Sequence, residues 1–482
     1  MNSNLKPRRN FTEGPIFFRI TLFALPIMLT GILQICYGMA DNIIVGRFSG
    51  DTTALAAVGC TGSLSTLVIN LLLGISSGAG VVISQLYGSN DERRVERAVH
   101  TSIVFALFGG IFMSILGLLI SKPALVLMGT RTDVLDSAVL YFRIICLGIP
   151  ANAVYNFGAS VLRSTGDSKR PLIILSSTGL VNVLFNIIFV VCFGMTVDGV
   201  ALATIISQYI SAVAVIIVLI SKEKSGECFG FSFKKLCVDG NLLRRILRYG
   251  VPAGLQSTMF NISNILLQSA VNTFPTTTVS ANTIASNIDG IAYTTINSFS
   301  QAAMTFTGQN YGAKKLDRIK RVTAFTLIQT IVIGFLIGQI VLLMGENITS
   351  LYIKPSDPNY DIIVYTVMDI ISLLLTTYFI CGIMDCLAGV LRGMGYSIAP
   401  MLVSLGSICG IRVIWVFFVF PIPAMNTIRR LFISYPVSWS LAASIFAVLL
   451  IFVYKKTKKI FACDESRYTV DRSTEAKSES VV

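Results

Sequence analysis

Apolar stretches of about 20 residues or more, broken by short polar connections, follow one another from Phe17 to Tyr454. Each is long enough to cross a bilayer core as one helix. The pattern predicts twelve spans, at 17–45, 54–86, 99–120, 134–158, 171–193, 198–220, 246–272, 281–307, 322–344, 362–390, 398–420 and 433–454. The expected fold is an all-α membrane protein. The apolar stretch after Lys6-Pro7-Arg8-Arg9 is too long for a signal-peptide core and reads as an uncleaved first span.

Charge then orients the spans. Placing both termini and the even-numbered connections on one side gives that side most of the 38 Lys and Arg. The opposite side keeps Arg47, Lys122, Arg131, Lys354, Arg429 and Arg430. The positive-inside rule therefore predicts cytoplasmic termini, and the expected location is a bacterial cell membrane. The longest connection, 221–245, carries Lys222, Lys224, Lys234, Lys235, Arg244 and Arg245, and divides the spans six and six. The expected organisation is an N-terminal segment 1–16, an N-lobe 17–220, a linker 221–245, a C-lobe 246–454 and a polar tail 455–482.

The two halves repeat each other. Gln85-Leu86-Tyr87-Gly88 recurs as Gln309-Asn310-Tyr311-Gly312 at an offset of 224, and Arg94 and Arg97 recur as Arg318 and Arg321. Leu162-Arg163-Ser164-Thr165-Gly166 with Pro171 recurs as Leu391-Arg392-Gly393-Met394-Gly395 with Pro400 at an offset of 229. Pro26 has its counterpart in Pro252. Spans six apart run the same way, so these are two parallel six-helix repeats. Transporters of that kind bind substrate between two lobes that rock past each other.

Composition narrows the function. Apolar residues make up 54% of the chain and charged residues 13%, against roughly 25% charged in soluble domains. With a mean hydropathy of +0.74, a cytosolic enzyme, a secreted domain and a disordered chain are excluded. The net charge of +13 is scattered through short connections, which argues against nucleic acid. The ten cysteines form no C-x-x-C pair or metal-ligand spacing, and Cys36, Cys60, Cys146, Cys192, Cys381, Cys386 and Cys409 read as small buried hydrophobes. The chain has no Gly-Lys dipeptide and hence no phosphate-binding P-loop. The energy source is therefore an ion gradient, with no cofactor beyond a coupling ion. The single histidine, His100, has no partner motif, which counts against a membrane-embedded transferase.

Six plus six spans, Tyr37-Gly38-Met39-Ala40-Asp41 with Pro26 upstream, Gln85-Leu86-Tyr87-Gly88 and Leu391-Arg392-Gly393-Met394-Gly395 together resemble the multidrug and toxic compound extrusion (MATE) family. The similarity runs from about Phe17 to Tyr454. It implies an antiporter that exchanges small amphipathic, often cationic compounds outward for H⁺ or Na⁺, acting as a monomer in the lipid bilayer. A flippase for lipid-linked saccharides, from the same wider superfamily, is the alternative. It needs a cluster of cavity arginines, and only Arg412 and Arg143 stand away from the ends of the spans.

A charged side chain at the centre of a span costs about 2.5–3.5 kcal/mol on insertion scales, so each needs a reason. Asp41, in the outer half of span 1, is the candidate ion-coupling carboxylate. Asn182 and Asn186 lie four apart on one face of span 5, and Thr204 adds a hydroxyl from span 6. The resemblance implies an N-lobe site with an Asp on helix 1, an Asn and an Asp on helix 5, and a Thr on helix 6. Asp41, Asn182 and Thr204 match; Asn186 replaces the second acid. In the C-lobe, Asp289, Asp369 and Asp385 form a candidate charge network with Arg412, whose expected partner is Asp385 or Asp369. Another branch of the family places coupling acids on helices 7 and 10, near Asn261 and about one turn from Asp385. Spans 7 and 8 are amide-rich, which predicts a wet central cleft. Its candidate lining is Gln34 and Tyr37 from span 1, Gln256, Met259, Phe260, Asn261 and Asn264 from span 7, and Asn287, Tyr293, Asn297 and Gln301 from span 8.

Overall fold

The computed structural model describes residues 11–48, 52–353 and 355–479. Lys6–Arg9, Lys354, the Arg47 side chain and the end of the polar tail lie outside the described residues. Among those described there is no strand. Twelve long helical elements follow in order: α1 (Ile16–Phe48), α2 (Thr52–Gly88), α3 (Glu92–Leu127), α4 (Thr132–Ser164), α5 (Lys169–Cys192) and α6 (Val197–Lys224) in the first half. The second half holds α7 (Gly240–Val271), α8 (Thr276–Gly312), α9 (Leu316–Leu343), α10 (Tyr360–Gly393), α11 (Ile398–Val419) and α12 (Ser434–Glu479). Every predicted span falls on one of them.

The helices outrun the apolar runs because polar residues continue and cap them. Asp91 accepts a hydrogen bond from the Arg94 backbone N–H at the start of α3, and Asp239 caps α7 through Asn241 and Leu242. Helix α12 continues past Tyr454 into the polar segment expected to be a tail. Among the described residues ten of the twelve are long and apolar enough to cross a membrane on composition alone. The other two are α7 and α8, the amide-rich pair.

Packing swaps the first half of one helix between the two halves of the molecule. The start of α1 (Ile16, Ile20, Phe23, Ala24, Ile27) and Phe11 before it join Phe299, Ala302 and Phe306 of α8 in one buried cluster. The end of α1 (Ile44, Val45) instead packs with Val134 and Ala138 of α4 and Val200 of α6. Helix α7 does the reverse. Its Leu242 and Ile246 sit in the core of α2, α3, α4 and α6, while Leu267, Ala270 and Val271 sit in that of α8 and α10. Where α2 crosses α7 the backbones touch: a Cβ on Gly74 would lie 2.1 Å from Gly254 Cα, and one on Gly78 would lie 2.4 Å from Gly250 N.

The inter-lobe connection is docked, not loose. Phe229 and Phe231 are buried against α2–α6. His100 of α3 is fully buried, with Nδ1 2.8 Å from Glu96 O and Nε2 3.1 Å from the Ser232 backbone N, and its ring stacks on Phe231. The histidine is thus a structural peg. Lys235 bridges Glu96 (2.8 Å) and Glu223 (3.2 Å), and these hydrogen bonds hold its ammonium pKa above the ordinary value.

Candidate functional site

The four N-lobe candidates form one hydrogen-bonded chain. Asn186 Nδ2 donates to Asp41 Oδ1 at 2.6 Å and to Asn182 Oδ1 at 3.3 Å, and Asn182 Nδ2 reaches Thr204 Oγ1 at 3.5 Å. Three helices meet there: α1, α5 and α6. Asn186 is fully buried, and its Oδ1 has no partner among the described residues. Asp41 forms no ion pair among the described residues, and its hydrogen-bond partner there is Asn186. A wider π turn, Ile187–Cys192, begins directly after Asn186. Such turns cluster at functional sites because they rotate the residues beyond them to a new face. Tyr37, predicted to line a cleft, packs its ring against Gly179 of α5 and donates to Ser176 O at 3.0 Å.

In the second half the predicted charge network separates. Asp369 pairs with Arg429 near the end of the bundle and not with Arg412. Arg412 is 0% exposed and forms no ion pair among the described residues. Its Nη1 donates to Asn264 Oδ1 at 2.7 Å, while its plane lies 4.0 Å from the Tyr435 ring centroid and 5.0 Å from that of Phe260. Nε and Nη2 are buried without partners. The expected carboxylate partner is therefore replaced by aromatic faces, which attract a guanidinium through their quadrupoles. Two π segments, Leu405–Cys409 and Trp415–Val419, flank Arg412 in α11, the counterpart of α5. Asp289 and Asp385 each have one buried oxygen without a partner.

The amides of α7 and α8 mostly bond to nearby protein groups. Gln268 pairs with Asn272 and Asn282, Gln301 with Asn297, Asn261 with Ser257 O, and Gln256 bridges Ser404 and Arg392. Gln34 is exposed and Asn287 half-buried, apart from these pairs. A crevice of about 200 Å³ between α7 and α11 is lined by Gln256, Met259, Phe260, Ser404 and Cys409. Arg143 donates to Ser121 Oγ at 3.1 Å. Cys36 and Cys192 are exposed, against the expectation that they are buried.

The repeated motifs meet across the molecule and reveal a device that single-chain reasoning missed. Gln85 Nε2 donates to Gly393 O and Gln309 Nε2 donates to Ser164 O, both at 2.8 Å. Each glutamine thus grips the end of the other half's fourth helix. Gln85 Oε1 accepts from Arg245 Nη2 at 2.5 Å, and Gln309 Oε1 accepts from the Phe11 backbone N–H at 2.8 Å. The motif glycines allow the contact: a Cβ on Gly88 would lie 1.9 Å from Gln309 O, and one on Gly312 would lie 1.8 Å from Gln85 O. This closes the end of the bundle that carries the inter-lobe connection.

Comparison with known proteins agrees with this architecture. The family model MatE matches residues 26–188 and 252–418, one segment in each half. The probable multidrug resistance protein YoeA of Bacillus subtilis is 27% identical over 450 residues, covering 92% of this chain and 96% of YoeA. The multidrug export protein MepA of Staphylococcus aureus is 24% identical over 443 residues, covering 89% of this chain and 91% of MepA. A solved outward-facing structure of a multidrug resistance MATE family transporter superposes with a TM-score of 0.85 at 19% identity, covering 94% of this chain and 100% of that one.

Proposed function

The chain belongs to the MatE family, a family of transporters and not of enzymes, and from that premise we propose that it is a multidrug exporter driven by inward movement of H⁺ or Na⁺. Its substrates are small amphipathic, often cationic organic compounds; relatives named for multidrug resistance and multidrug export support export of organic compounds. Both termini and the 221–245 connection face the cytoplasm, in keeping with the basic bias of those segments.

The observation that carries the reading is the Asp41–Asn186–Asn182–Thr204 chain, a carboxylate in a membrane helix with no cationic partner among the described residues. An ionised carboxylate stranded in low dielectric costs several kcal/mol. Water in an outward-open cleft relieves that penalty while the site is accessible. Closure of the N-lobe then requires that Asp41 take up one monovalent cation. Either H⁺ on the carboxylate or Na⁺ among carboxylate, amide and hydroxyl oxygens satisfies it, and the partnerless Asn186 Oδ1 is a ready ligand. Cation uptake draws α1, α5 and α6 together, the lobes rock, substrate leaves outward, and cation release to the cytoplasm resets the carrier.

Everted membrane vesicles test this with a fluorescent cationic dye and an imposed pH or Na⁺ gradient. Wild-type vesicles accumulate dye in response to one of the two gradients, and Asp41→Asn loses the response at equal protein level. Gradient-stimulated uptake at the wild-type rate in Asp41→Asn overturns the assignment.

A further inference from the structure

Arg412 is a buried charge that the ion-coupling scheme leaves unused. Its Nη1 donates to Asn264 Oδ1, and the rings of Tyr435 and Phe260 lie against its plane. Nε and Nη2 remain, and both are buried without an acceptor among the described residues. These two nitrogens share one edge of the guanidinium, and their N–H bonds run parallel. On that edge a carboxylate seats both oxygens at once, in two charge-assisted hydrogen bonds. An apolar crevice reaches the same place. Phe260, which carries the guanidinium on its ring, is one of its walls, and Cys409, one turn before Arg412 on α11, is another. Leu255, Met259, Met401 and Leu405 line the rest of its 200 Å³, and its polar groups Gln256 and Ser404 bond to each other. The π segment Leu405–Cys409 supplies two of these walls and leads into Arg412, and such wide turns cluster at functional sites. An uncharged apolar volume and a guanidinium fork without an acid thus adjoin at the Phe260 ring.

We propose that Arg412 is the acid-binding residue of a substrate site between α7 and α11, whose ligands are amphipathic organic compounds bearing a carboxylate, zwitterions among them. The apolar body fills the crevice, and the carboxylate takes the Nε–Nη2 edge once the Phe260 ring swings aside. The physical reason is directional. A guanidinium held at one edge by Asn264 and flanked by two rings presents its other edge in a fixed direction. An acid of matching shape gains two charged hydrogen bonds there that a neutral compound cannot make. A cation without an acid finds no acceptor on that edge, since guanidinium nitrogens only donate. The inference rests on the exporter reading and names part of its substrate range, but it does not involve Asp41.

Calorimetric titration of the purified full chain in phosphatidylcholine nanodiscs at neutral pH tests this, with naphthaleneacetic acid and its neutral amide as probes. The acid is expected to bind about 10- to 100-fold more tightly than the amide, the worth of one hydrogen bond to a charged group. Arg412→Lys keeps the charge and loses the fork. It is expected to weaken the acid about tenfold and to leave the amide unchanged. If Arg412→Lys does not fold, Met401→Trp carries the test, since it fills the crevice and leaves Arg412 in place; it is expected to abolish binding of the acid. No binding of the acid by wild type, or equal binding of acid and amide, overturns the proposal. An unchanged affinity for the acid in folded Arg412→Lys or Met401→Trp does so too. Repeating the titration in phosphatidylglycerol nanodiscs, in high salt to screen the bilayer surface, separates a substrate from a lipid. Binding of the acid is expected to persist; its loss would assign the edge to a lipid phosphate and overturn the substrate reading. Failure of the Asp41 reading would appear in the vesicle assay and leave these titrations untouched.

Discussion

Replacing Gln85 by alanine should open the end of the bundle that carries the connection between lobes. Gln85 is 3% exposed, so solvent does not replace its bonds in the closed state. The substitution removes a neutral hydrogen bond to Gly393 O and a charged one from Arg245. A neutral bond contributes about 1 kcal/mol net and one to a charged group about 1.5–3, together about 2.5–4 kcal/mol. At about 1.4 kcal/mol per factor of ten, the open population rises roughly 60- to 700-fold. Gln309→Ala removes two neutral bonds, about 2 kcal/mol, and should raise it roughly 30-fold. Ser84 supplies the probe: it is 1% exposed, and its Oγ lies 2.1 Å from where a Cβ on Gly308 would stand across the lobe contact. In a Ser84→Cys background, maleimide labelling read at the peptide level follows the open population when opening is fast relative to reaction. Labelling should accelerate by those factors, more in Gln85→Ala than in Gln309→Ala. Equal labelling with and without Gln85 would refute the idea that this pair latches the lobes.

Other outcomes follow from the same geometry. Asn186→Asp adds a second acid beside Asp41 and should shift the gradient that drives dye uptake toward Na⁺; unchanged ion dependence in vesicles contradicts the N-lobe assignment. Gly179→Val places side-chain carbons where a Cβ would already lie 1.8 Å from the Tyr37 ring, and should lower the melting temperature by the equivalent of about 1–3 kcal/mol while separating α1 from α5. His100→Ala leaves the Ser232 backbone N–H without its ring acceptor, costs about 1–3 kcal/mol, and should make 225–239 sensitive to limited proteolysis. Arg429→Ala breaks a half-exposed ion pair worth about 1 kcal/mol or less, so transport by that variant should match wild type.

The twelve spans were legible because a bilayer demands long apolar runs, and the halves because Gln85 and Gln309 stand in matching words. Asp41, Asn182, Asn186 and Thr204 could be grouped from one acid in a span and two amides four apart. What the words Gln85-x-Tyr-Gly88 and Gln309-x-Tyr-Gly312 accomplish was not legible, since each glutamine's partner lies in the opposite half. The π turns after Asn186 and around Arg412 leave no mark on apolar periodicity. Arg412 misled for a related reason: counting charges predicts a carboxylate partner, whereas Tyr435 and Phe260 accept the guanidinium on their faces. The amides of α7 and α8 are equally silent, because polarity in a span reads alike as a wet surface or as amides bonded within and between helices.

The exchange of the first turns of α1 and α7 between the two cores bears on how the molecule is made. As the chain enters the membrane from its N-terminus, Phe11, Ile16 and Ile20 arrive before α8 and α9, the helices that bury them, have been synthesised. The first six helices in turn lack Leu242 and Ile246, which complete their core. Neither half can finish alone, so each waits on the other, and the connection with Phe229 and Phe231 already seated keeps the start of α7 beside its destination. Maturation is therefore a single late event for the whole chain, and the quality-control machinery of the cell meets two unfinished halves until it occurs.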